Sequence, residues 1–406
     1  MEAIIGDAII RHDYIFFAAT ERSWFPVKSR LHKFAFLFVG MAACAAFIFS
    51  GVTQSPPIHN GKIGMPGKIV LKAPPGTYAA PVYKIVALPH AKIPLSFLKL
   101  QKKYNLVTIP TYDGSYQLTH PKVLYFPKGW NGYQYWMSMT PYPCENDDYE
   151  NPSIVVSNDG TTWGIPEGLK NPVSGLPSDV ASGGHYSDPQ LVMRGNTMEL
   201  WYRYNPARRG KKLPDNSVNI YYRKTSRDGV HWTGAKKLLQ SRHGYLSLCV
   251  NYEKAEYKTW YATYGGDLCY SESRDAVDWS APIRCSVPLP AGFEPYHQDM
   301  IRYGSEYYLL QTAEKTSNYT FQLFLLQSED GIHFSGAQPV YPSKDMALWK
   351  NISFYRSTLF VKDNKLDLYV SMIIPHLKWY ITQCQIPIPK PVPGQQPGKA
   401  GSAVKI

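Results

Sequence analysis

Five stretches of this chain alternate apolar and polar side chains with the period of a half-buried strand: Tyr135-Trp136-Met137-Ser138-Met139, Leu200-Trp201-Tyr202-Arg203-Tyr204, Thr259-Trp260-Tyr261-Ala262-Thr263, Tyr307-Tyr308-Leu309-Leu310-Gln311 and Leu366-Asp367-Leu368-Tyr369-Val370. Each follows a more uniformly apolar stretch, beginning near Pro121, Pro189, Leu248, Met300 and Ser357, as expected of an inner strand buried on both faces. Four of the units end in one motif. It reads Ser157-Asn158-Asp159-Gly160-Thr161-Thr162-Trp163, Ser226-Arg227-Asp228-Gly229-Val230-His231-Trp232, Ser273-Arg274-Asp275-Ala276-Val277-Asp278-Trp279 and Ser328-Glu329-Asp330-Gly331-Ile332-His333-Phe334. Asp-Gly is hairpin chemistry, and the aromatic residue three positions on can pack back onto its sheet. Four-stranded units repeated around an axis predict an all-β fold, a five-bladed β-propeller over residues 105–386. The last unit shows only three strands, so residues 105–110 are expected to return as its fourth and close the ring.

The pattern changes on either side. Residues 34–52 carry no charge, follow a leader (residues 1–33) containing Arg22, Lys28, Arg30 and Lys33, and give way to Thr53, Gln54 and Ser55. The length matches a bilayer core, with the basic side cytoplasmic. A transmembrane anchor and a cleaved signal segment both fit, and both place the propeller outside the cytoplasm, periplasmic or extracellular, secreted if the segment is removed. Residues 53–104 read as a stalk, and residues 387–406, with five prolines, as an extended tail.

Composition agrees with many short strands: the 406 residues include 31 Tyr, 10 Trp, 33 Pro and 30 Gly. A net charge of +12 suits an acidic partner, but the basic residues are scattered without a nucleic-acid motif, so no nucleic-acid partner is expected. The clearest basic cluster, Arg208, Arg209, Lys211 and Lys212, suits an anionic sugar or lipid headgroup as well as it suits a solvated loop. No C-x-x-C pair or other ligand spacing predicts a metal site, and no cofactor is expected beyond a structural calcium that the axis has room for. Cys269 and Cys285 flank a hairpin and are expected as cross-strand partners.

In such a meander the starts of the inner strands share one mouth of the axis, opposite the Asp-Gly hairpins. The residues there are His120, Asp188, Ser247, Asp299 and Arg356, with His297 close by. The loop between the second and third strands of the first unit adds Glu150 and Asn151. Trp130, Tyr142, Tyr186, Tyr245, Tyr296 and Trp349 are expected near the same mouth, where aromatic faces stack on sugar rings.

His120-Pro121, Tyr149-Glu150-Asn151-Pro152-Ser153, Ser187-Asp188-Pro189 and the four turns together resemble the five-bladed propeller glycoside hydrolases related to families 43 and 32. The resemblance implies carboxylate acid/base cleavage of a poly- or oligosaccharide, an acidic one suiting the net charge. In that family an acid opens the first inner strand, an Asp-Pro aspartate supports it and a later Glu is the proton donor. Asp188-Pro189 matches the second; His120 stands in place of the first, and no Glu matches the third. The expected assignment is Asp188 as orienting carboxylate or base, Glu150 or Asp299 as acid, and His120, Asn151, Tyr186, His297, Arg356 and Trp349 as substrate contacts. The alternative is a non-catalytic carbohydrate-binding propeller that recognises a surface or exported polysaccharide. Two carboxylates about 5 to 10 Å apart across the axis would distinguish them. A protein-binding scaffold ranks third, and a sialidase-like reading is disfavoured by five units in place of six.

Overall fold

The computed structural model describes residues 85–86, 93–208, 215, 217–242 and 245–389. The strands, in chain order, are β1 (Ile85–Val86), β2 (Leu118–Trp130), β3 (Tyr133–Pro141), β4 (Ser153–Ser157), β5 (Ile165–Pro166), β6 (His185–Arg194), β7 (Thr197–Asn205), β8 (Val218–Ser226), β9 (Lys236–Arg242), β10 (Leu246–Glu253), β11 (Glu256–Ala262), β12 (Leu268–Ser273), β13 (Ile283–Arg284), β14 (Phe293–Tyr303), β15 (Glu306–Lys315), β16 (Thr320–Ser328), β17 (Ser335–Val340), β18 (Ser353–Phe354), β19 (Thr358–Lys362), β20 (Lys365–Ile374) and β21 (Lys378–Pro387). They form five antiparallel blades: β2-β3-β4, β6 to β9, β10 to β13, β14 to β17, and β18/β19-β20-β21. The inner strands β2, β6, β10, β14 and β19 touch in cyclic order, β19 returning to β2, so the ring is closed. The all-β five-bladed propeller expected from the repeats is the observed fold.

The repeats explain the blades locally. In the first turn Ser157 Oγ accepts from Gly160 N (2.9 Å), and Asp159 Oδ1 accepts from Thr161 N and Thr162 N (2.7 and 2.6 Å). Asp228, Asp275 and Asp330 repeat the pattern. Trp163 and Trp232 close their turns by donating Nε1 to Gly160 O and Gly229 O. These are Asx-type turns, which occupy backbone donors that a hairpin of this width leaves over. Large side chains then fill the space between blades: Trp136 with Leu191, Leu200 and Tyr202, and Trp260 with Met300, Leu309 and Phe324.

Closure takes a shorter form than a full strand. Residue 106 bridges Thr382 on β21, and Val107 N donates to Ile381 O. Just before it, within the span read as stalk, lies helix α1 (Leu95–Tyr104), which buries Phe97 and Tyr104 and ends at Asn105 in the left-handed conformation. Phe97 packs on Tyr116 and Tyr380, so the helix belongs to the propeller's packing. A single turn-length helix, α2 (Met346–Trp349), joins β17 to β18.

Cys269 and Cys285 are free thiols, contrary to the expected pairing. Register pairs Cys269 with Arg284, and the one-residue offset sends Cys285 to the opposite face of the blade, into the next inter-blade core. The leader 1–33, the segment 34–52, the first part of the stalk, most of the tail, and Arg209, Lys211 and Lys212 of the basic cluster lie outside the described residues. Among the described residues no helix is long and apolar enough to cross a membrane.

Candidate functional site

Each inner strand is irregular at the same end. Register shifts fall between Thr119 and Lys122, Ser187 and Gln190, Leu246 and Cys249, and Pro295 and His297, while the fifth inner strand is broken between β18 and β19. His120, Asp188 and Ser247 sit in these bulges at φ of 54°, 49° and 52°. A non-glycine residue held there carries conformational strain, and a bulge re-aims its side chain. The result is a ring of polar groups at one mouth of the axis.

Asp188 is its centre. Arg203 Nε, which donates to Ser187 Oγ, lies 3.0 Å from Oδ2 as an ion pair, while Arg356 Nη1 and Ser247 Oγ donate to Oδ1 at 3.0 and 3.1 Å. His120 Nε2 and His297 Nδ1 each lie 3.6 Å from Oδ1. All these side chains are buried. Burial alone would raise the Asp188 pKa, but Arg203, the two imidazoles and Arg356 hold it well below the usual carboxylate range. Asp188 is therefore an anion fixed in one orientation.

Glu150 faces the other side of His120. Its Oε1 is 2.9 Å from His120 Nδ1, which is itself in hydrogen-bond contact with Thr140 Oγ1 (3.1 Å), and its Oε2 is 3.7 Å from His185 Nε2. Despite the short approach, Glu150 Oε1 lacks hydrogen-bond geometry to any neighbour. Burial, then the charges of Asp147 and Asp188, push the Glu150 carboxyl well above its ordinary value. Burial also lowers His120, to about 3, and His297 and His185. Burial thus favours the uncharged forms of Glu150 and of the three imidazoles, while the arginines favour the ionised form of Asp188.

His120 Nε2 and both ring nitrogens of His297 are buried without a hydrogen-bond partner. Nitrogens of these two rings and a carboxylate oxygen of Asp188 all lie within 4.8 Å of one another. Neutral imidazoles with open lone pairs beside a fixed carboxylate are what a divalent first-row cation requires. This donor set escapes a search for ligand spacing because its members stand on three different blades.

The other expected site residues are placed as follows. Asn151 is buried beside Glu150, donating Nδ2 to Tyr112 Oη at 3.0 Å. Asp299 lies one side-chain step below the mouth, where Lys122 Nζ (2.6 Å), Thr358 Oγ1 (2.7 Å) and the N–H groups of Met300 and Leu359 occupy its oxygens. Tyr186 packs against Tyr202 and Tyr204 in its own blade. Trp349 is not at the axis: it is buried between Tyr104 and Phe354, donating to Ser343, because α2 folds onto the outer core. Trp130 likewise sits at the opposite mouth, since the β2–β3 hairpin turns there. Tyr296 does reach the site, its ring 4.5 Å from His297. Reasoning from sequence missed His185, Arg203 as a partner of Asp188, and Tyr355, whose ring lies 4.5 Å from His297 and 5.4 Å from His120. The signal for His185 was its position three residues before Asp188 across a bulge.

No protein-family model matches the chain. Among curated proteins it is similar to an A type blood N-acetyl-alpha-D-galactosamine deacetylase of Flavonifractor plautii, 26% identical over 60% of this chain. The aligned region spans 38% of that relative's length. Among solved structures it is similar to an N-acetylgalactosamine deacetylase from F. plautii in complex with blood group B trisaccharide, with a TM-score of 0.59, 21% identity, and 69% of this chain covered against 94% of that one. A thermostable family-43 glycoside hydrolase gives a TM-score of 0.49 at 13% identity, covering 70% and 97% of the two chains. The likeness to the deacetylase structure is one of fold.

Proposed function

We propose that the chain is a carbohydrate-active hydrolase that removes the acyl group from an N-acetylated amino sugar, with His120, Asp188 and His297 holding a divalent cation and Glu150 moving the proton. The observation that carries this is the pairing of a committed carboxylate with a single uncommitted one. Glycosidic cleavage in the usual form needs two carboxyl groups free to face the substrate. Asp188 is bound by two arginines and a serine, and Asp299 by a lysine and three other donors, which leaves Glu150 alone. Amide hydrolysis by water needs only one proton carrier beside an electrophilic centre. The name of the F. plautii relative points the same way.

The orphaned His120 and His297 nitrogens fit a cation, and such an ion supplies Lewis-acid polarisation of the acyl carbonyl or of water. The chain's own residues do the rest. Arg203 and Arg356 keep Asp188 ionised and oriented, and Thr140 fixes the His120 ring by its Nδ1. In the reaction a C–O bond forms to the water oxygen, the C–N bond breaks, and one water proton reaches the departing nitrogen. Glu150, within reach of that mouth and held by no hydrogen bond at Oε1, carries the proton. Tyr296 and Tyr355 beside His297 offer ring faces to a sugar.

The test is release of acetate from an N-acetylgalactosamine-terminated oligosaccharide by the purified full chain, with and without chelation. Chelator-sensitive release restored by a divalent cation, and lost on the order of 100-fold or more in Glu150→Gln, is the expected result. Release of free sugar without acetate would return the chain to the glycosidases. Binding with neither product would make it a recognition propeller.

A further inference from the structure

Helix α1 is apolar on two sides. Its inner side is buried through Phe97 and Tyr104, yet Leu95 is 77% and Leu98 41% exposed, one turn apart, with Ile93 at 37% just ahead of them. A surface helix normally keeps its apolar residues in one stripe, and one that is apolar all round is ordinarily covered. Lys99, Lys102 and Lys103 are exposed on the same helix, which contains no acidic residue. Among the described residues none of these lysines has an acidic partner within ion-pair distance.

The surface continues beyond the helix. Tyr104 packs on Trp349 of α2, and α2 adds the 51% exposed Met346 flanked by exposed Lys344 and Lys350, against a single acid, Asp345, which caps α2. Single exposed apolar residues are ordinary, but among the described residues four of the ten large ones lie on or just ahead of these two helices: Ile93, Leu95, Leu98 and Met346. Leucines and a methionine interleaved with lysines are the chemistry of an interfacial surface, where apolar side chains enter the headgroup boundary and ammonium groups meet anionic headgroups. The uncharged run at residues 34–52 lies ahead of the helix in the same chain.

We infer that α1 and α2 together form a docking face for an anionic lipid surface, which would seat the propeller against the bilayer by its side between the fourth and fifth blades. This goes beyond the proposed reaction and stands without it. The occupant is a bilayer, not a second protein, because the two helices and their flanks carry five exposed lysines against one acid, beside exposed aliphatic side chains.

The experiment is lysine acetylation read by mass spectrometry on the full chain, returned to bilayers of phosphatidylcholine alone or of phosphatidylcholine with phosphatidylserine. Lys99, Lys102, Lys103 and Lys344 should lose reactivity by about threefold or more only in the phosphatidylserine bilayers, as expected for a few charge contacts. Lys254 and Lys365, exposed at hairpins of the opposite mouth, should not change. Leu95→Ser with Leu98→Ser, both at exposed positions, should abolish the protection at Lys344 while the thermal midpoint is unchanged. Equal reactivity in both bilayers overturns the inference. So does protection in lipid-free buffer that grows with protein concentration, which would assign the patch to a second copy.

Discussion

At the scale of single residues, the buried charges divide into those that hold the site and those that hold the ring. Asp299 and Lys122 belong to the second group. Removing one partner of a buried pair leaves an uncompensated charge, so Asp299→Asn is expected to cost about 3 kcal/mol, as is Lys122→Met. The double variant Lys122→Met with Asp299→Leu should cost less than the sum of the single changes, measured by denaturant unfolding. Activity per folded molecule should stay within about tenfold of the parent, because Asp299 faces no open space at the mouth. A loss as deep as that of Glu150→Gln would restore Asp299 as an acid. Asp188→Asn behaves differently: it leaves Arg203 and Arg356 facing each other over a neutral amide, and both stability and turnover should fall.

At the scale of elements, the repeated turns carry a pH dependence. Burial is the largest single effect and raises Asp159 and Asp330, but the hydrogen bonds of the turn together outweigh it and hold both at about 2, against an ordinary carboxylate value of 3.8. A carboxylate depressed on folding contributes stability that is present above its unfolded pKa and lost as pH falls through the folded one. The thermal midpoint should therefore drop between about pH 4 and pH 2, and Asp159→Asn with Asp330→Asn should flatten that drop while lowering the midpoint at pH 7. Both side chains are largely solvent-exposed, so the effect of each is small. The glycines of the same turns are constrained by what lies over them. Gly229 has φ +77°, and a Cβ there would stand 2.2 Å from ring atoms of Trp136 in the neighbouring blade. Gly132, at φ +88°, has nothing within 4 Å. Gly132→Ala should then cost about 1 kcal/mol of backbone strain, and Gly229→Ala clearly more, because a buried tryptophan must move as well.

At the scale of the whole molecule, stability depends on joining the two ends of the propeller. Closure rests on one bridge at residue 106, on Thr382 Oγ1 donating to Tyr104 O (2.9 Å), and on Phe97 and Tyr104 of α1 filling the outer core. A chain starting at residue 111 lacks all of these and should lose on the order of 4 kcal/mol from the two aromatic side chains alone, seen as a lower and broader thermal transition. An unchanged transition would mean that the blades close without α1. The site mouth should loosen in the same truncated chain, since Arg356 stands just before β19 and His120 on β2, and these two inner strands meet at the closure.

The class of fold, the number of blades and the strand order within each were legible in the sequence because they are local properties. A two-residue alternation, an Asp-Gly turn and an aromatic three residues later act over a few residues, and their recurrence counts the blades. Also legible was that His120, Asp188, Ser247 and Arg356 would share one mouth of the axis with His297 close by, and the structure brings these side chains around Asp188. What those residues do together was decided only by closing the ring. His120, Asp188 and His297 are far apart in the chain, so no spacing rule relates them, and only bulges at matching positions turn them toward one point. Asp188 and Asp299 look alike as acids at the start of inner strands. One step along the axis gives the first two arginines and two imidazoles, and gives the second a lysine and backbone donors. Trp349 looked like a sugar platform and became core, because a short helix turned it outward. Periodicity fixes which face of a strand a residue lies on, but the charge state of a side chain depends on what burial strips from it and what it meets there, and that is set by partners brought together from different blades.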